Sequence, residues 1–186
     1  MKKKAIFITA ALFSIISLNA QVPNGFVKGS VTLADGSTVS GYVKDNLKKD
    51  AAVTFVDENG SNKKQFDANQ ANGVTIDGVN YASIKGDFFK IINTGKISFL
   101  QKASNASSKP VYNGNEAIFV AGTEGKIGDY FSYSNNQLTH LTKKTVDDFI
   151  AQQLSSSTAA VEKAKSINGN IAALADAVAI YNAENK

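Results

Sequence analysis

From Gly25 to about Leu141 apolar and polar residues alternate in short runs, broken about every 8–12 residues by turn-forming pairs. Val27, Val31 and Leu33 fall at even spacing with Lys28, Ser30 and Thr32 between them. Side chains along a strand point alternately to opposite faces, so this spacing puts the apolar set on one face. Asp35-Gly36 follows, and Ala34 to Ser37 returns the chain into Val39, Gly41 and Val43, because a tight hairpin turn needs residues that reach φ > 0 cheaply. The same grammar predicts Val53 to Val56 turning at Asn59-Gly60 into Lys63 to Phe66, and Val74 to Ile76 turning at Asp77-Gly78 into Val79 to Ile84. Phe88 to Ile92 and Lys96 to Leu100 flank Asn93-Thr94-Gly95 and are apolar at both parities, the pattern of strands covered on both faces. This hairpin is the predicted centre of the core. Ala117 to Val120, Tyr130 to Tyr133 and Gln137 to Leu141 complete a set of about ten to twelve strands.

After His140 the apolar period changes from two to 3.6. Thr145 precedes Asp148 by three residues, a capping-box-like start, and Val146, Phe149, Ile150 and Leu154 share one helical face. A second helix is predicted from Ser157 through Val161, Ala164 and Ile167, closing at Asn168-Gly169. Asn170 then caps a third, striped by Ile171, Leu174, Ala175, Val178 and Tyr181. The fold class is therefore mainly β, a sandwich, roll or barrel of antiparallel hairpins, with a C-terminal tail of two to three α-helices. The stripes are expected to pack on the β-region or on one another; the sharper alternative is an exposed stripe that binds a partner.

The first segment changes where this fold is expected to work. Lys2, Lys3 and Lys4 precede an apolar run from Ala5 through Leu18, too short to span a bilayer, and Ala20 offers a small residue at a cleavage point before Gln21. The reading is a cleavable signal peptide over residues 1–20, a β-rich domain over 21–142 and a helical tail over 143–186, in a protein exported to the periplasm or beyond. With no cysteine anywhere, no lipid-modified cysteine can anchor it and no disulfide can staple it. Three of the 20 lysines leave with the signal, so 17 lysines face 16 acids and the formal charge falls from +4 to +1. A weakly charged chain whose basic residues are all lysine lacks the bidentate arginine forks of nucleic-acid readers. Nucleic acid is excluded as a partner, and no transmembrane segment follows the signal.

The opening strand-turn-strand from Lys28 to Val43, reading KGSVTLADGSTVSGYV, and a tail carrying Phe149, Leu154 and a closing Tyr181-Asn182 resemble a broad group of uncharacterised exported proteins of Bacteroidetes-type bacteria. That resemblance spans most of the mature chain and implies export and a β-rich fold with short C-terminal helices. It implies no activity and brings no catalytic residue.

Direct tests for chemistry return little. His140 is the single histidine, and no serine sits in the G-x-S-x-G context of a nucleophile elbow. One histidine without cysteine makes a poor zinc set. Asp57, Asn59 and Ser61 alternate like the front of a calcium loop, but the closing glutamate position falls on Ala68, so a plain Asn-Gly turn is expected. Asp147-Asp148 complement a helix N-terminus, Glu116 and Glu124 flank a strand, and Gly122 to Lys126 lacks P-loop spacing. Tyr130, Phe131 and Tyr133 form the densest aromatic cluster, with Tyr130 on the opposite face from the other two. No catalytic, cofactor-binding or metal residue and no cofactor is expected from the sequence. The expected function is a non-catalytic envelope or secreted interaction or structural module whose partner is an unknown envelope protein or surface ligand. The alternative is a ligand-binding β-barrel or sandwich for a glycan, lipid or other small molecule, and a hydrolase ranks behind both. A closed apolar cavity or aromatic-lined cleft would favour ligand binding, and a filled core with an exposed helical stripe would favour a protein partner.

Overall fold

A computed structural model describes residues 22–105, 111–113, 116–118 and 122–186. The expected signal peptide lies outside the described residues. The chain builds β1 (Val27–Leu33), β2 (Thr38–Asn46), a one-turn α1 (Leu47–Asp50), β3 (Ala52–Val56), β4 (Lys64–Asp67), β5 (Ala71–Ile76), β6 (Val79–Ile84), β7 (Asp87–Asn93) and β8 (Ser98–Lys102). After these come β9 (Val111–Asn113), β10 (Glu116–Ile118), β11 (Tyr130–Ser134), β12 (Gln137–Leu141), α2 (Val146–Gln153), α3 (Thr158–Lys165), a 3₁₀ turn at Ile171–Ala173 and α4 (Leu174–Glu184). The fold is mainly β with a helical tail, as the hydrophobic pattern predicts.

Ten strands form one antiparallel sheet in the order β12-β11-β8-β7-β6-β5-β1-β2-β3-β4, while β9 and β10 pair separately. The order forces a curl. In a flat sheet β4 and β5 would stand four strand spacings apart, about 19 Å at ~4.8 Å each. Only Ala68, Asn69 and Gln70 join them, a reach of about 15 Å at ~3.8 Å per step. The strands from β1 to β6 therefore roll toward one another, and the Ser83 hydroxyl on β6 donates to the Ala68 carbonyl within that short connection. Gly29 and Gly41 stand opposite each other across β1 and β2. A Cβ at Gly29 would collide with the Thr75 carbonyl oxygen, and one at Gly41 with the Val56 carbonyl oxygen and the Phe55 ring. Glycine at these two positions lets the sheet bend tightly.

The inner face of the roll is filled by Val31, Val43, Leu47, Val53, Phe55, Val74, Ile76 and Phe88. The same face continues beyond β7, where the sheet no longer closes on itself and the helices cover it: Ile97, Phe99 and Leu141 pack with Val146, Phe149, Leu154, Ala164, Leu174, Val178 and Tyr181. Leu154, Leu174 and Val178 have no exposure, so the helical stripes serve the core. The opposite, outer face of this half carries Phe89, Leu100 and Phe131. Strands β7 and β8 are thus apolar on both faces, which is why Phe88, Phe89, Phe99 and Leu100 are adjacent in pairs and all but fully buried.

The termini of the helices differ in part from expectation. Ser157 caps α3 by accepting from Ala160 N–H at 3.1 Å. Thr145 occupies the N-cap position of α2, but its hydroxyl donates instead to the His140 carbonyl at 2.7 Å. Asn170 does not cap with its side chain, and the third helix opens through the 3₁₀ turn. Asn182, near the chain end, bonds both backbone groups of one residue. Its Oδ1 accepts from Ile97 N–H at 3.0 Å and its Nδ2 donates to the Ile97 carbonyl at 2.7 Å. The amide imitates a neighbouring strand and ties α4 to the start of β8.

Candidate functional site

Polar side chains gather on both faces of the strand pair β7–β8. On the outer face, Lys102 Nζ lies 3.2 Å from Asp87 Oδ2, with side-chain exposures of 1% and 0%. Two buried charges are stable only when their remaining protons and lone pairs are also met. The loop 122–129 meets most of them. The ammonium donates to the carbonyls of Thr123 at 2.6 Å and Glu124 at 3.1 Å, and Asp87 Oδ2 accepts from the Thr123 amide and hydroxyl at 2.7 and 2.6 Å. Asp87 Oδ1 has no partner among the described residues. Backbone bonds from Lys102 N to Asp129 O and from Gly128 N to Lys102 O, both 2.8 Å, zip the same loop to the strand.

His140 fastens the far end of the loop. Its ring stacks on Phe131 at a centroid distance of 4.7 Å, its Nε2 is 3.0 Å from Asp129 Oδ2, and its Nδ1 is 4.0 Å from Glu124 Oε1. Asp129 Oδ2 also accepts from Lys126 N–H at 2.8 Å. Gly125 passes so close that a Cβ there would sit 3.1 Å from the imidazole, at a φ of +83° that favours glycine. The two carboxylates approach opposite ring nitrogens and so do not converge on one point. Among the described residues, no three metal-ligating side chains are arranged to hold an ion. No serine hydroxyl bonds His140 among the described residues, so the geometry there is that of a loop clamp.

On the inner face the register places Tyr81, Lys90 and Gln101 in one row across β6, β7 and β8, since Tyr81 stands opposite Lys90 and Lys90 opposite Gln101. This polar row lies between the two cores, with Tyr81 packed against that of the roll. Asp45, at the end of β2, and Leu47 and Lys48 of α1 form the facing wall; Ala103, Ile127 and Gly128 close the rim, leaving a cleft of about 250 Å³. Gln101 Nε2 donates to the Gly128 carbonyl at 3.1 Å, and Asp45 Oδ1 accepts from Leu47 N–H at 2.9 Å. Burial pushes the Tyr81 phenol above its ordinary pKa, and the Asp45 carboxylate adds to the shift. Neither Lys48 nor Lys90 forms an ion pair among the described residues.

Asp57, Asp147, Asp148 and the aromatic cluster, also singled out by the sequence, have structural roles. Asp57 spends its carboxylate on a turn, accepting from Ser61 N at 2.8 Å, Asn62 Nδ2 at 2.6 Å and Asn59 N at 3.0 Å, which holds it below the usual carboxylate pKa. Asp147 and Asp148 sit in the first turn of α2. Glu124 is 79% exposed, and Glu116 lies on β10 opposite Asn113. Phe131 is buried edge-to-face against Phe89 at 5.1 Å, Tyr130 stacks on Phe99 at 5.4 Å, and the Tyr133 hydroxyl meets Asn136 Oδ1 at 3.2 Å. The aromatic cluster is packing. Among the described residues there is neither the aromatic-lined cleft nor the exposed helical stripe that would have decided between the two expected functions. The cleft between the cores escapes sequence reasoning because it depends on cross-strand register, which alternation along single strands does not reveal. Its one local signal is the row of polar side chains at inward parity in Tyr81, Lys90 and Gln101. No known protein family, curated protein or solved structure matches the chain.

Proposed function

We propose that the chain is an exported, non-catalytic binding module that holds a small polar ligand in the cleft between its two cores. The observation that carries this reading is the cleft itself: groups from β2, α1, β6, β7 and β8 converge there, between two cores of buried apolar side chains. Binding sites combine such convergent polar groups with a pre-formed concave wall, and these groups stand mostly on strands, where they lose little freedom on binding. The outer-face clamp supports the same reading, because it anchors the loop whose Ile127 and Gly128 form the rim.

The test is a panel of sugars, sugar acids, amino acids and short peptides against the mature protein, read by thermal stabilisation. A hit that raises the melting temperature of the parent, and does so less for Gln101→Leu and Tyr81→Phe, supports the cleft. Hits unaffected by either substitution place the ligand elsewhere. Export is checked separately by the intact mass of protein recovered from periplasm and medium, where a chain starting at Gln21 is expected.

A second reading, a module that presents a partner surface, is favoured by the separate β9–β10 hairpin. Both stems of the excursion that carries it are tied to the sheet, by Ser104 Oγ accepting from Phe88 N at 2.8 Å and by Thr123 on Asp87. Replacing residues 110–119 by a glycine-serine linker should abolish capture of an envelope partner while leaving cleft binding intact.

A further inference from the structure

We infer that the cleft takes an anionic, hydroxyl-bearing molecule of single-ring size, a sugar acid or sugar phosphate, gripped by Lys48 and Lys90. The inference rests on the cleft reading above and names its ligand chemistry. Lys48 stands on α1 and Lys90 on β7, so two elements from opposite walls bring like charge to one concavity. Lys48 and Lys90, neither in an ion pair among the described residues, outnumber the one carboxylate that lines the cleft, Asp45, and an excess of one charge in a concavity raises the local concentration of a counter-ion. Lysine is a compact point charge and imposes no bidentate geometry, so carboxylate and phosphate are both accommodated.

The other groups fit hydroxyls. Asp45 Oδ1 is used by Leu47 N–H, which leaves Oδ2 as an acceptor, and Gln101 binds Gly128 through its nitrogen, which leaves Oε1. The Tyr81 phenol, held in its neutral form, both donates and accepts. Ala103 and Ile127, both partly exposed, supply the apolar patch against which a sugar ring lays its C–H groups. The volume of about 250 Å³ lies below the range typical of drug-sized ligands and suits a single ring. The Asp45 carboxylate also disfavours polyanions, so one anionic group per ligand is expected.

The experiment is an amide-resolved NMR titration of the mature protein with D-glucuronate, D-glucose 6-phosphate, D-glucose and inorganic phosphate. The expected result is shifts at Leu47, Lys48, Tyr81, Lys90 and Gln101 with both sugar anions, affinity falling as salt is raised, and D-glucose at least about ten-fold weaker. Inorganic phosphate, which offers charge without the ring, should also bind more weakly than the sugar phosphate. A preference between glucuronate and glucose 6-phosphate tells carboxylate from phosphate as the natural anion. Lys48→Gln and Lys90→Gln should each weaken sugar-anion binding about ten-fold; both positions are exposed, so an unchanged spectrum elsewhere shows intact folding. D-glucose binding at the cleft as tightly as glucuronate would overturn the anion assignment and leave the cleft reading standing. No shift at these amides with any of the four also overturns it, and the wider panel then decides the cleft itself. Sugar anions that bind unchanged in both lysine variants overturn it as well.

Discussion

The two halves of the ten-stranded sheet solve the same problem in different ways. From β1 to β6 the sheet bends until its inner face meets itself, and the Gly29–Gly41 pair removes the side chains that would stop the bend. Across β7, β8, β11 and β12 the same face stays open and needs α2, α3 and α4 to cover it. A sheet that closes on itself needs only one apolar face, so β1 alternates. Strands covered by helices on one side and by further apolar residues and a loop on the other carry apolar residues at both parities, so β7 and β8 do not alternate. Where the two solutions meet, the polar row of Tyr81, Lys90 and Gln101 lines a cleft walled by the end of β2 and by α1. The difference teaches that a site can arise at the boundary between two ways of burying one sheet.

Each half can be broken separately. Phe99→Ala, which removes the ring on which the helices rest, should cost about 3–5 kcal/mol in chemical denaturation, with the helical signal lost first. Lys102→Ala should cost a similar ~3–5 kcal/mol because it leaves Asp87 buried and uncompensated. Lys102→Met combined with Asp87→Leu should recover much of that loss, since replacing both charges removes the desolvation penalty along with the pair. In the curled half, Gly41→Ala should cost about 1–3 kcal/mol by pushing a Cβ into the Val56 carbonyl and Phe55.

The helical caps give a finer comparison. Ser157→Ala should cost about 1 kcal/mol, whereas Asn170→Ala, whose side chain makes no cap bond, should cost much less on the same denaturation scale. The smallest expected effect is on pH dependence, and it belongs to the curled half. Hydrogen bonds from Ser37 hold Asp35, and those from Ser61, Asn62 and Asn59 hold Asp57, below the ordinary carboxylate value of about 3.9. The unfolded chain therefore takes up these protons first, so their contribution is present above pH ~4 and is lost as pH falls through the lowered values. Asp57→Asn should flatten the acid side of the stability curve slightly and leave the neutral region unchanged. At alkaline pH Tyr81 acts with the opposite sign: its raised pKa means the folded state keeps the proton longer, so stability falls as pH rises through and beyond about 10.

Much of this fold is legible because its turns are written locally. Asp35-Gly36, Asn59-Gly60 and Asp77-Gly78 mark three hairpins that all form, with the three glycines at positive φ. The adjacent phenylalanines of β7 announce a strand covered on both faces. What is not legible depends on distance along the chain. The jump from β4 to β5 that curls the sheet, the strand-like pairing of Asn182 with Ile97 across 85 residues, and the buried Lys102–Asp87 pair all join segments whose local patterns are ordinary. Thr145 shows the converse: its local signature predicts a capping box, and tertiary contact with the His140 carbonyl redirects the hydroxyl. The candidate site belongs to this long-range class, since Asp45, Lys48, Tyr81, Lys90 and Gln101 form a group only once five elements are in register.

Strands β6, β7 and β8 run between the two cores, and a cleft lined by them is pre-formed if this seam is rigid. Native-state hydrogen exchange of residues 21–186 tests it most directly. The slowest amides should lie in β7 and β8, exchanging only by global unfolding, with β1–β3 close behind and the ends of α2 and α3 faster. Fast exchange of β7 and β8 through local opening, while β1–β3 remain protected, would contradict the account.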